Sequence, residues 1–233
     1  MNINTTMIDF PSNGGTTPAY LARPDDELSH PAVIVIQEWW GLVPHIKEMA
    51  ERFAAEGYIA LAPDLYRGQA ADEPDEARKL AMALDRDRAV AEITAAARYL
   101  ASLPASAPNR VGVVGWCMGG GLSLSAAAEN GGAGSGNIGA AVCFYGRPLD
   151  ESDTARLQAP VLGHFASEDQ GIPLADVRAF EAELARYDVP HQIHIYEGAH
   201  HAFFNNTRPV YDPKAADVAW VRTLAWFERY LGG

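Results

Sequence analysis

The sequence predicts an α/β fold, a mainly parallel central sheet of about eight strands with helices on both faces, spanning residues 1–233 as one domain. Three observations predict it. Runs such as A-V-I-V-I (32–36) are apolar without alternation, the pattern of a strand buried on both faces. Such runs alternate with stretches of helical periodicity, and a helix is the usual crossover between parallel strands. The stretch R-V-G-V-V-G-W-C-M-G-G-G-L-S-L-S-A-A-A (110–128) reads as strand, glycine-flanked turn and helix of small residues.

The elements follow in order. Residues 3–10 and 17–23 alternate apolar and polar around P-S-N-G-G-T-T, which predicts an opening hairpin. After the strand beginning at Ala32, Pro44 opens a helical pattern through Ala55, with Ile46, Met49, Phe53 and Ala54 on one face and Gly57 as its stop. Y-I-A-L-A-P-D-L-Y (58–66) is the next strand. Residues 72–103 form one long amphipathic helix or two, with D-R-D-R on a solvated face. N-G-G-A-G-S-G-N-I-G (130–139) is a glycine-rich surface loop; it follows a helix, so it is not read as a dinucleotide motif. Strands over 140–145, 160–166 and 191–196 and a helix from Leu174 to Tyr187 come next. A last helix from Pro213 to Leu231 is expected to turn Val218, Val221, Leu224, Ala225 and Trp226 to the core.

Composition narrows the function classes. A formal charge of −12 without a Lys/Arg run argues against nucleic acid or an anionic membrane as partner. The first ten residues lack a basic segment leading into an apolar one, and no apolar run approaches the roughly 18 residues of a membrane span. Two cysteines without framework spacing suit a reducing compartment, so a cytoplasmic location is expected. Cys143 lies in A-A-V-C-F-Y-G and reads as a buried small hydrophobe. No metal-ligand spacing stands out, and no cofactor or metal is expected.

The reactive side chains fall at strand ends. G-W-C-M-G (115–119) is the nucleophile-elbow pattern G-x-S-x-G with cysteine in the serine place. Glu38, Asp169 and His201 follow three other predicted strands, and parallel sheets gather function in such loops. Cys, Asp, His is also the chain order of an α/β-hydrolase triad. In that arrangement Cys117 attacks, His201 takes its proton and Asp169 orients the imidazole. The N–H of Met118 is one oxyanion donor, and the N–H of Trp39 is the expected second. Glu168 and His200 are the neighbouring alternatives. His164, between apolar residues, reads as a satisfied core histidine, and His45, His191 and His194 as structural or exposed.

Taken together, V-I-V-I-Q-E (33–38), G-Y-I-A-L-A-P-D-L-Y (57–66), G-W-C-M-G-G (115–120), F-Y-G (144–146), the Asp169 loop and Y-E-G-A-H-H-A-F (196–203) resemble the dienelactone hydrolases (carboxymethylenebutenolidases) of the α/β-hydrolase superfamily. The resemblance covers nearly the whole chain. It implies a Cys117–Asp169–His201 triad, with His200 where the family usually has glycine, and a Glu38 that pairs with the resting cysteine and helps to deprotonate it. It implies a cofactor-free hydrolase acting through a cysteine acyl-enzyme, with dienelactone to maleylacetate as the leading reaction. A broad carboxylesterase is the alternative, followed by a thiol redox protein or a non-catalytic binding protein. The expected partner is a small lactone or ester, and the expected state a monomer or weak homodimer. Where dienelactone-specific members carry H-S-F-A-R, this chain has H-A-F-F-N, which puts Asn205 in the arginine's place. Tyr145, Phe203, Asn205 and Arg78 are therefore the candidate substrate-binding residues, with Arg67, Arg147 and Arg208 as further cations.

Overall fold

A computed structural model describes residues 1–129 and 137–232. The elements run β1 (Ile3–Ser12), β2 (Gly15–Pro24), β3 (His30–Ile36), α1 (Pro44–Ala55), β4 (Ile59–Pro63), α2 (Pro74–Ala83), α3 (Arg86–Ser102), β5 (Ser106–Trp116), α4 (Met118–Glu129), β6 (Ile138–Phe144), α5 (Glu151–Thr154), β7 (Val161–Ala166), α6 (Leu174–Arg186), β8 (His191–Tyr196) and α7 (Pro213–Leu231). Among the described residues the strands form one eight-stranded sheet, ordered β1-β2-β4-β3-β5-β6-β7-β8. The first two pairings are antiparallel and all others parallel. This is the predicted class and strand number. Of the expected glycine-rich loop, residues 130–136 lie outside the described residues.

The unbroken apolar strands are explained by the layers. Along β3, Val33 and Val35 pack toward α1 and α7, whereas Ala32, Ile34 and Ile36 pack toward α3, α4 and α6. Each helix covers one face of the sheet, so no strand residue in the middle has to be polar. Pro44 opens α1 at its first turn and Ile46, Met49, Phe53 and Ala54 are all buried, as the periodicity predicts. The long amphipathic stretch resolves into α2 and α3, the second started by Asp85, whose side chain accepts from the Arg88 N–H.

The expected core face of α7 needs correction. Val218 and Val221 are 45% and 65% exposed, and Ala225 is also at the surface. The buried stripe is Ala215, Ala216, Ala219, Trp220, Thr223, Trp226, Phe227 and Leu231. Two apolar stripes satisfy the same helical spacing here. The one that buries the Trp220 and Phe227 rings removes more apolar area from water, and it is the one that faces the sheet.

The sheet also decides where a site can form. β3 pairs with β4 on one side and β5 on the other, so the strand order reverses between β3 and β5. A crevice opens beyond the carboxyl ends of strands at such a point. The register sets Ile36 against Gly115, which brings the loop Gln37–Trp39 beside the turn Trp116–Met118.

Candidate active site

The turn after β5 is built by glycine. A side chain on Gly115 would collide with the Gly119 carbonyl, and one on Gly119 would collide with the Gln37 carbonyl. Without those methyl groups α4 starts directly above β5, and the turn residue Cys117 is forced to φ +55. An L-residue held there stores strain of about 1–3 kcal/mol, which the surrounding structure must sustain. It is sustained by bonds on both sides of the turn. The Cys117 N–H donates to the Phe144 carbonyl at 3.0 Å, and the Gly120 N–H to the Cys117 carbonyl at 3.1 Å. Tyr145 (φ +37) and Ala202 (φ +66), the latter next to His201, are strained in the same sense. Three strained residues thus surround one point.

Asp169 and His201 reach that point from the ends of β7 and β8. The Asp169 Oδ2 lies 2.7 Å from His201 Nδ1. Its Oδ1 accepts the N–H groups of Gly171 at 2.8 Å and Ile172 at 3.1 Å, which locks the carboxylate in place. The neighbouring alternatives fall away on position: Glu168 and His200 are exposed, and Glu168 is bonded by the Ser167 hydroxyl. Burial opposes a charge on His201, but its bonds to Asp169 and to the Cys117 thiol, with their charges, outweigh it and push the imidazole up to about 10. The chain therefore brings Cys117, His201 and Asp169 into one line.

Glu38 approaches from the end of β3 and is 1% exposed. Burial pushes its carboxyl up, opposed by a hydrogen bond from Asn205 and by the charges of His201 and Arg208. The bond from Asn205 Nδ2 to Glu38 Oε2 is 2.7 Å. The expected pairing of Glu38 with Cys117 is not made among the described contacts; the thiol engages His201 instead. Tyr145 is fully buried, with its ring 5.0 Å from the His201 ring. Burial and the charges of Glu38, Cys117 and Asp169 push its hydroxyl well above its ordinary value.

The two predicted oxyanion donors are free to act. Among the described residues neither the Met118 nor the Trp39 N–H donates a hydrogen bond. A residue missed in the sequence holds their two loops together. Tyr66 donates its hydroxyl to the Trp39 carbonyl at 3.2 Å, and the same oxygen lies 3.5 Å from the Met118 sulfur. Tyr66 ends a recognised motif, but no local signal marks a bond to a residue 27 positions away.

The other candidates are placed less directly. Phe203 is fully buried behind Tyr145, with ring centroids 5.4 Å apart, so it supports the wall from behind. Asn205 is buried and committed to Glu38. Arg78 is exposed on α2, 3.9 Å from Asp75. Arg67 is drawn away to the buried Glu92 and the Thr16 carbonyl. Arg147 is exposed beyond β6. Arg208 is the arginine whose charge acts on Glu38, and its guanidinium sits 3.8 Å over the Trp40 ring. His164 is a satisfied core histidine as predicted, bonded to Tyr196 and Thr223. His45 is buried and pushed down to about 4 by that burial. No cluster of three or more His, Cys, Asp or Glu suited to a metal occurs among the described residues. No described helix is long and apolar enough to cross a membrane.

A profile of the Dienelactone hydrolase family matches residues 17–231. A protein of Aquifex pyrophilus named protein usf is 37% identical over 233 residues, with 97% of this chain and 98% of the relative covered. A protein of Aquifex aeolicus, named as a candidate carboxymethylenebutenolidase, is 33% identical over 234 residues, with 97% and 98% covered. A crystal structure from Klebsiella pneumoniae, described as a candidate dienelactone hydrolase, superposes with a TM-score of 0.89 at 30% identity, covering 99% of this chain and 100% of that one. By the extent of these matches and the sheet they share, the chain belongs to the dienelactone hydrolase family of α/β-hydrolases.

Proposed function

We propose that the protein hydrolyses an enol-lactone or an activated carboxylic ester through a thioester on Cys117. The observation that carries this reading is the line Cys117–His201–Asp169, with the cysteine held at φ +55 on the elbow. His201 takes the thiol proton, and Asp169 stabilises the imidazolium. The thiolate sulfur attacks the carbonyl carbon, and the carbonyl electrons move onto oxygen between the N–H groups of Met118 and Trp39. Collapse expels the enolate or alkoxide, which takes the proton from His201. Water then gives a proton back to His201 and attacks the thioester carbonyl, and the thiolate leaves. Glu38, a second carboxylate acting on His201, favours the imidazolium and with it the thiolate.

Dienelactone is the leading substrate, supported by the family and by the names of its relatives. One observation favours the broader ester reading. The residue in the place of the family's carboxylate-holding arginine is Asn205, and its amide is spent on Glu38. Turnover of cis- and trans-dienelactone, measured beside p-nitrophenyl acetate, separates the two. The leading reading expects dienelactone to have the higher kcat/KM. Equal or lower values would leave the broad esterase, and retained activity in Cys117→Ala would remove the nucleophile.

A further inference from the structure

Asn205 is buried beside Glu38 on the turn that also carries His201. The turn is closed by backbone bonds from Asn205 N–H to the Ala202 carbonyl at 2.9 Å and from Arg208 N–H to the Asn205 carbonyl at 3.0 Å. The orientation of its side-chain amide follows from its other partners. The Thr207 backbone N–H lies 2.9 Å and the Thr207 hydroxyl 2.7 Å from Oδ1. A backbone N–H only donates, so the atom it meets is the amide oxygen, and the opposite atom, 2.7 Å from Glu38 Oε2, is the NH2 group. A flipped amide would set a carbonyl against a carboxylate and an NH2 against an N–H. Thr207 therefore fixes Asn205 as a donor to Glu38.

The groups that act on Glu38 are few. His201, Asn205 and Arg208 face it from the segment after β8, and Tyr145 faces it from the end of β6. Tyr66, after β4, is turned to Trp39. Of these, Asn205 makes the hydrogen bond given above and acts more strongly than the Tyr145 hydroxyl, and a buried carboxylate that loses its main donor takes up a proton more readily. We propose that Asn205, locked by Thr207, is a positioning residue that keeps Glu38 ionised beside His201 and so sets the low-pH edge of Cys117 reactivity. The proposal rests on the reading of Cys117 and His201 as the reactive pair.

The test is the pH dependence of Cys117 alkylation by iodoacetamide in the full chain, followed by mass. Asn205→Leu is expected to move the low-pH edge upward by about 1–2 pH units, the worth of a hydrogen bond to a charged group. Thr207→Val, nearly isosteric, moves it upward by less, and Thr207→Ser keeps the wild-type edge. Glu38→Gln moves the edge upward, to the titration of the Cys117–His201 pair itself, and in that background Asn205→Leu no longer shifts it. If Glu38→Gln moves it while Asn205→Leu and Thr207→Val leave it in place, the amide has no such role and the reading of the reactive pair stands. An edge that Glu38→Gln leaves unmoved overturns the proposal, because Glu38 then has no part in it. Alkylation rates indifferent to His201→Ala overturn the reading on which it rests. Should Asn205→Leu fail to fold, the shift in Thr207→Val decides.

Discussion

The site holds two carboxylates in opposite circumstances. Asp169 meets donors on both oxygens, two backbone N–H groups on one and the His201 ring on the other. Glu38 is more deeply enclosed and accepts its hydrogen bond from the neutral amide of Asn205. Burial raises its carboxyl, and Asn205, the Tyr145 hydroxyl and neighbouring charges work against that. Two carboxylates in different surroundings have different tasks. In the proposed mechanism Asp169 is the fixed orienting group and Glu38 a poised one whose charge depends on its neighbours. The comparison predicts which substitutions are costly and which are only felt.

The largest effect should come from the Asp169 side. His201→Ala is expected to lower kcat/KM for an activated ester by about 10,000-fold. Asp169→Asn should lower it by about 1,000- to 10,000-fold, because the amide no longer selects the productive tautomer. The imidazole is raised from 6.5 to about 10, so the stability it adds is complete below 6.5 and is lost as pH rises through about 10. In Asp169→Asn that alkaline loss should begin at lower pH, read by thermal melts across the range; an unmoved profile would detach His201 from Asp169.

Next is Glu38→Gln, for which kcat/KM should fall about 10- to 100-fold. A loss as deep as that of Asp169→Asn would erase the distinction between the two carboxylates. The same substitution should stabilise the fold. A carboxyl raised above its ordinary 4.5 favours the folded state below that pH and costs stability as pH rises past it. Glu38→Gln is therefore expected to melt about 2–4 °C above wild type at mildly alkaline pH, with the gap closing below about 4.5. Equal melting temperatures at every pH would mean that burial does not burden Glu38. The smallest effect belongs to His200→Ala, within about twofold of wild type, since the ring is exposed. A loss approaching that of His201→Ala would move the base by one residue.

The difference between the carboxylates also marks what the sequence discloses. The elbow, the strand ends and the Cys117, Asp169 and His201 positions are local patterns, because each depends on a few adjacent residues and on a strand that ends there. The layers were legible for the same reason. Asn205 and Glu38 lie 167 residues apart, and nothing beside either one announces the other. Tyr66 and Arg208 act through contacts of that kind, between loops that only the finished sheet brings together. The buried face of α7 is hidden from the sequence for a related reason. Val218 and Val221 offer a valid apolar spacing, and only the competing rings of Trp220 and Phe227, packed on Phe53, decide the rotation.

The central claim is that Cys117 carries the acyl group. Acid-quenching the protein during steady-state turnover of p-nitrophenyl acetate and measuring intact and peptide masses tests it most directly. The account predicts an added acetyl group on the peptide containing Cys117, absent from Cys117→Ala treated in the same way. An adduct on another residue, or rapid turnover in Cys117→Ala, would contradict it.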